Sequence, residues 1–167
     1  PSFIRMSEDT YLIAYYGYNS GIKHDGTSVS NTWGQWLSVF QIKSDGSVIN
    51  ELGNFLHDTY TNSDPYNDLI KIDDDTYALA YKSYNYGPQT SGSWGGWIKT
   101  FKVNGGNINQ VNELQHYTSS DSYWHSWERL SATTYALAWQ GSGGDGYITT
   151  FTISTDGATI TEIAELE

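Results

Sequence analysis

The chain has no cysteine, which excludes disulfides and thiolate metal sites and leaves no redox compartment to be read from the sequence. Positive charge is scarce as well: 8 Lys and Arg stand against 19 Asp and Glu, a formal charge of -11. A surface of that sign repels nucleic acid and anionic lipid, so nucleic acid is not expected as a partner. No apolar run approaches the roughly 20 residues that a membrane helix requires, and membrane insertion is not expected either. Nor does any segment hold an apolar stripe at helical spacing over three turns, which leaves almost no helix to expect. What the chain does have is aromatic side chains and glycine: 7 Trp, 14 Tyr, 5 Phe and 17 Gly in 167 residues. That mixture suits strands joined by tight turns, with flat hydrogen-bonding rings on the surface.

The chain repeats itself three times. Asp9-Thr10-Tyr11-Leu12-Ile13-Ala14-Tyr15 returns as Asp75-Thr76-Tyr77-Ala78-Leu79-Ala80-Tyr81 and again as Thr133-Thr134-Tyr135-Ala136-Leu137-Ala138-Trp139. A second aromatic strand follows each: Trp36 to Phe40, Trp97 to Phe101 and Tyr147 to Phe151. Then come Ser44-Asp45-Gly46, Asn104-Gly105-Gly106 and Thr155-Asp156-Gly157, turns of the type that joins antiparallel strands through positive φ. A weaker fourth strand closes each unit with Ile49/Leu52, Ile108/Val111 or Ile160/Ile163, and a short apolar strand opens it near Phe3 to Met6, Leu69 to Ile72 and Trp127 to Leu130. Tyr11/Tyr77/Tyr135, Trp36/Trp97/Tyr147 and Phe40/Phe101/Phe151 recur in every copy and are read as core.

Four short antiparallel strands per repeat make a propeller blade, and the second strands are apolar on both faces, as a strand between two neighbouring sheets must be. The fold class expected is therefore all-β: a β-propeller of three four-stranded antiparallel blades, at about residues 1–58, 66–117 and 125–167 of a single half-propeller unit. The repeat resembles tandem propeller repeats with an Asp-Thr-Tyr-Ala-Leu-Ala-Tyr strand, a Gly-Tyr-Ile-x-Thr-Phe strand and an Asp-Gly hairpin, found in poorly characterised surface or secreted microbial proteins. The resemblance implies architecture and an extracellular or cell-surface setting, and is nearly silent on ligand. Propellers typically have four to eight blades, so three need completion. A homodimer making a six-bladed ring is the expectation, with a fragment of a longer array as the alternative.

Differences between the copies point to a site. The link between the second and third strands is a tight Gly141 to Gly146 hairpin in the last copy but runs from Gly17 to Gln35 and from Ser83 to Gly96 in the others. Loops of that length are uncommon without a function. In a propeller they share a face with the inter-blade segments Asp58 to Asp68 and Tyr117 to Ser126. The ligand-binding residues expected there are Trp33, Trp94, Tyr84, Tyr86, Tyr123, Trp124, His125, Tyr60 and Tyr66, joined by Tyr18 and Tyr117. Rings beside short polar side chains suit a pyranose, which stacks its apolar face and pairs its hydroxyls. Trp33 and Trp94 are the sharpest candidates, since they match in two copies and give way to Gly144 in the third.

Chemistry beyond binding has little support in the residues. His57 and His116 occupy one repeat position, which points to a hydrogen bond tying loop to blade. His24 and His125 have no partner at a metal spacing, although His125 beside Trp124 is placed for a ligand hydrogen bond. Asp73-Asp74-Asp75 falls on a turn whose counterparts are Ser7-Glu8-Asp9 and Ala132-Thr133-Thr134, so calcium is not expected. Nucleophile, phosphate-loop and zinc-protease patterns are missing. The reading is a non-catalytic, lectin-like extracellular module without metal or cofactor, its partner a glycan or other surface ligand. The alternative is a surface-layer, fibre or virion component that buries the same rings between subunits.

Overall fold

The computed structural model describes residues 1–23, 25–59, 66–85 and 93–167, and in it each copy of the repeat forms one four-stranded antiparallel sheet. The first holds β1 (Ser2–Arg5), β2 (Thr10–Lys23), β3 (Ser28–Ile42) and β4 (Ile49–Asp58). The second holds β5 (Asp68–Lys71), β6 (Thr76–Asn85), β7 (Ser93–Asn104) and β8 (Asn107–Tyr117). The third holds β9 (Tyr123–Arg129), β10 (Thr134–Gln140), β11 (Gly146–Ile153) and β12 (Ile160–Leu166). Among the described residues the one helical segment is a 3-10 turn at Ser142–Gly144, and no helix is long and apolar enough to cross a membrane.

Turn chemistry fixes the register. Gly46, Gly105 and Gly157 take φ of 72°, 58° and 76° between the third and fourth strands, a conformation that glycine adopts without steric cost. The ladder that follows slips at one repeat position in all three sheets, between Val39 and Phe40, Thr100 and Phe101, and Thr150 and Phe151. A bulge repeated there adds the same local twist to each sheet.

The two-sided apolar pattern of the second strands has a direct cause in the packing. Tyr77, Leu79 and Tyr81 of β6 lie in one core with Leu12, Ala14, Leu37 and Val39 of the first sheet. Ala78 and Ala80, on the opposite side of the same strand, lie in the other core with Tyr135, Leu137 and Trp139 of the third. Each seam therefore sets large side chains of the later sheet against smaller ones of the earlier sheet. Fully burying one large apolar side chain contributes about 1.5–3 kcal/mol, so two such cores dominate cohesion here. The first strands β1, β5 and β9 lie side by side, as do the last strands β4, β8 and β12.

Polar ties recur across the seams. Asp68 on β5 accepts from the Ser2 hydroxyl at 3.0 Å and from the Trp127 amide at 2.8 Å, joining the three first strands. Thr100 Oγ1 donates to the Gly157 carbonyl at 2.7 Å, and Arg129 donates to the Ile72 carbonyl. In the first seam Lys99 Nζ donates to the His57 carbonyl at 2.7 Å and sits 3.8 Å from Glu113, with the two side chains 3% and 2% exposed.

Two expectations from sequence need correction. The segment after Gly17 is not an irregular loop: β2 and β3 continue as a two-stranded ribbon, pairing Tyr18 with Trp33 and Ile22 with Ser28. The ribbon crosses β3 and adds a short parallel pairing of Ile22 and Lys23 to Phe55 and Leu56 of β4. The cross-strand pairing of Tyr18 with Trp33 and the packing of Gly21 against the Asn54 backbone hold it there. The second correction concerns β9, which starts at Tyr123, before the expected Trp127, and pairs with β10 through an irregularity between Ala138 and Gln140.

Candidate functional site

Strand register brings the rings together at the end of the sheets where β6 leads into β7. Tyr84 stands directly opposite Trp94 across the β6–β7 ladder, their ring centroids 5.7 Å apart. Lys82, two residues before Tyr84, carries its ammonium 5.6 Å from the Trp94 centroid and 3.8 Å from that of Tyr123 on β9. Tyr123 meets Tyr66 edge-on at 5.7 Å, and Tyr66 lies 4.1 Å from Trp124. These contacts make one continuous row: Tyr84, Trp94, Lys82, Tyr123, Tyr66 and Trp124. Lys82 was not singled out from sequence. The signal was present in that it is a cation where the other copies carry Tyr16 and Gln140.

Trp124 is the outermost member, with 61% of its surface exposed. Its backbone has φ of 56°, a left-handed conformation that costs a bulky residue on the order of 1–2 kcal/mol. The neighbouring residue explains how it is held. His125 Nδ1 donates to the Tyr66 carbonyl at 2.9 Å, and its Nε2 accepts from the Ser122 hydroxyl at 2.9 Å. With His125 drawn inward on β9, the preceding side chain is thrown outward, giving the irregularity beside Ala138. Burial lowers the His125 pKa to about 4, only partly opposed by its bond to Tyr66, so the ring is neutral near pH 7. The expected ligand hydrogen bond from His125 is thus corrected: both ring nitrogens are committed to the protein, and the residue positions Trp124.

Trp33 belongs to a second group. On the β2–β3 ribbon it stacks with Tyr16 at 5.6 Å and meets Tyr18 at 5.6 Å. Trp33 is 52% exposed and Tyr18 55%, and these rings lie on strands where loops were expected. Tyr117 serves structure, packing on Trp139 at 4.4 Å and donating from its hydroxyl to Ser142 at 3.1 Å. Tyr60, Tyr86 and His24 lie outside the described residues.

The paired histidines do something other than the hydrogen bonding that their spacing implied. His57 points its ring edge at Tyr81, 5.0 Å away, and His116 does the same to Trp139 at 5.2 Å. Among the described residues neither imidazole has a hydrogen-bond partner at either nitrogen. Each ring is a wedge between its own sheet and the aromatic strand of the next. Burial pushes both pKa values well below 6.5, with Lys99 adding to the effect on His57 and His125 to that on His116.

The carboxylates of the Asp73-Asp74-Asp75 turn are spent locally. Asp75 pairs with Lys102 at 2.9 Å, Asp74 with Lys71 at 3.4 Å, and Asp73 accepts from the Asp74 amide at 2.9 Å. Among the described residues no cluster of His, Asp and Glu is arranged to hold a metal ion. Compared with known proteins, the chain matches no family model and no curated sequence.

Proposed function

We propose that the three sheets are blades of a β-propeller, and that the row of rings from Tyr84 to Trp124 is a carbohydrate-binding surface acting without catalysis. The side-by-side placement of β1, β5 and β9, with β4, β8 and β12 together at the other margin, supports the propeller reading. The observation that carries the binding reading is Trp124, a large ring kept exposed at an unfavourable φ by a buried histidine behind it. Backbone strain maintained beside an exposed ring is a mark of a functional surface. The indole offers an apolar plane to a pyranose, while the Tyr66 and Tyr123 rings along the same row supply polar edges for hydroxyls and the buried Lys82 holds Trp94 and Tyr123 from behind. A surface or secreted setting belongs to the same reading, since that is where glycans are met.

The test is a titration of the chain with a panel of soluble oligosaccharides, read by tryptophan fluorescence. At least one sugar changes the emission saturably, Trp124→Ala abolishes that change with the far-UV spectrum intact, and Trp33→Ala leaves most of it. A panel with no response, or a response that survives Trp124→Ala, removes the reading. Assembly is the second function in play, and the specific observation favouring it is the bare outward face of the first and third sheets.

A further inference from the structure

The repeat buries one kind of sheet face twice and leaves it open once. Leu69, Tyr77, Leu79, Tyr81, Phe101 and Ile108 of the second sheet are all buried against the first. Their counterparts on the first sheet are Phe3, Tyr11, Ile13, Tyr15, Phe40 and Ile49. Phe3 is 55% exposed and Ile49 68%, while the other four are only half-buried. Phe3 and Tyr11 stack in parallel at 5.0 Å, and among the described residues no sheet covers them. The ribbon of β2 and β3 covers part of this face, burying Trp36, and the β1–β2 half stays open.

The third sheet shows the other half of the same seam. Ile72, Ala78, Ala80, Ile98 and Leu114 of the second sheet pack on the third. The matching positions on the third sheet are Leu130, Ala136, Ala138, Ile148 and Leu166, of which Leu130 is 57% exposed, Ile148 52% and Leu166 72%. Thr150, the counterpart of Thr100, donates within its own sheet to the Ala164 carbonyl, where Thr100 reaches the Gly157 carbonyl of the next sheet. At the opposite end Arg5, the counterpart of Arg129, bonds its own turn at Ser7 and Glu8 where Arg129 reaches across to Ile72.

We infer that a second copy of this chain docks head-to-tail, the third sheet of one against the first sheet of the other, and that two copies close through two such seams. The occupant follows from continuity: each open face is one half of an interface that the chain already makes twice, large side chains on one half and small ones on the other. Arg5 would take the carbonyl of Leu130 in the other copy, as Arg129 takes that of Ile72. A closed pair satisfies both open faces at once, whereas a single copy satisfies neither. The inference rests on the radial arrangement of the sheets and is independent of any glycan.

Light scattering on the intact chain tests it, with a dimer as the expected species. Ala138→Arg and Phe3→Lys each place a charge on an already exposed position of one half-seam, and each weakens association roughly tenfold or more. Mixing the two variants restores one complete seam and brings heterodimer back, a rescue that a symmetric back-to-back pair cannot give. A monomeric wild type, open-ended assemblies, or a mixture that stays monomeric overturns the inference. Because the chain has no cysteine, an engineered Ser2→Cys/Asp68→Cys pair reports separately on the sheet arrangement. Cross-linking within the monomer upholds the radial arrangement even if the dimer fails, and failure to cross-link overturns the arrangement and the inference with it.

Discussion

Acid should unfold this protein through three histidines. His57, His116 and His125 are sealed inside the seams, and burial holds His125 at about 4 and the other two well below 6.5. In the unfolded chain each titrates near its ordinary value of about 6.5. Below that pH the unfolded chain binds protons that the folded chain excludes. The stability linked to these groups is therefore complete above about pH 6.5 and is lost as pH falls toward 4. A group that stays neutral loses about 1.4 kcal/mol per pH unit below 6.5, which for His125, held at about 4, comes to about 2 kcal/mol at pH 5; His57 and His116 add losses of the same sign. A domain of this size has a stability of about 5–15 kcal/mol, so the loss is a large share. Asp45, Asp75 and Asp156 are held below 3.8 by hydrogen bonds and Lys102, so their contribution is lost only as pH falls below about 4; Glu162, raised above 4.5 by burial and Glu165, acts in the opposite sense to the histidines. Urea unfolding at about pH 7.5 and about pH 5 reads the effect directly. His57→Phe keeps the ring edge against Tyr81 and Phe101 and removes the titrating nitrogens. It should match the parent at neutral pH and be the more stable of the two at pH 5. Equal midpoints for the parent at both pH values, or an unchanged acid slope in His57→Phe, would refute the reasoning.

Other expectations follow from single contacts. Lys99→Met leaves Glu113 buried without its ammonium and should cost about 3–5 kcal/mol in urea melts, most of it recovered in Lys99→Met/Glu113→Leu. Gly53→Ala sets a Cβ 2.0 Å from the Gly106 carbonyl oxygen; backbone cannot yield, and an overpacking loss of about 1–3 kcal/mol is expected in the thermal midpoint. Trp124→Gly releases about 1 kcal/mol of left-handed strain and gives up about 1 kcal/mol of contact with Tyr66, so stability should hold while glycan binding disappears. A large stability loss in that variant would show the ring to be structural.

The sheets were legible in the sequence because a strand buried on both sides has a distinctive composition: Ala78 and Ala80 between Tyr77, Leu79 and Tyr81 already imply two neighbours of different bulk. The ribbon after Gly17 was not, because Asn19-Ser20-Gly21 has loop composition and its strand partner is set by the pairing of Tyr18 with Trp33. Tyr66 and Trp124 were picked out as rings, but their contact was invisible, as was the reason for it. His125 is turned inward by the carbonyl of Tyr66, 59 residues away. The wedge role of His57 and His116 was hidden for a similar reason. Their repeat position was plain, but the rings they meet belong to the next sheet.

The central claim, that Trp124 and its row of rings bind carbohydrate, is tested most directly by the seven indole N–H signals of the 15N-labelled chain. Adding a sugar from the panel should move the signals of Trp124 and Trp94 and leave in place those of Trp97, Trp127 and Trp139, buried in the seams, and of Trp36, buried under the ribbon. Seven signals that stay fixed with every sugar, or movement confined to the buried indoles, would contradict the account.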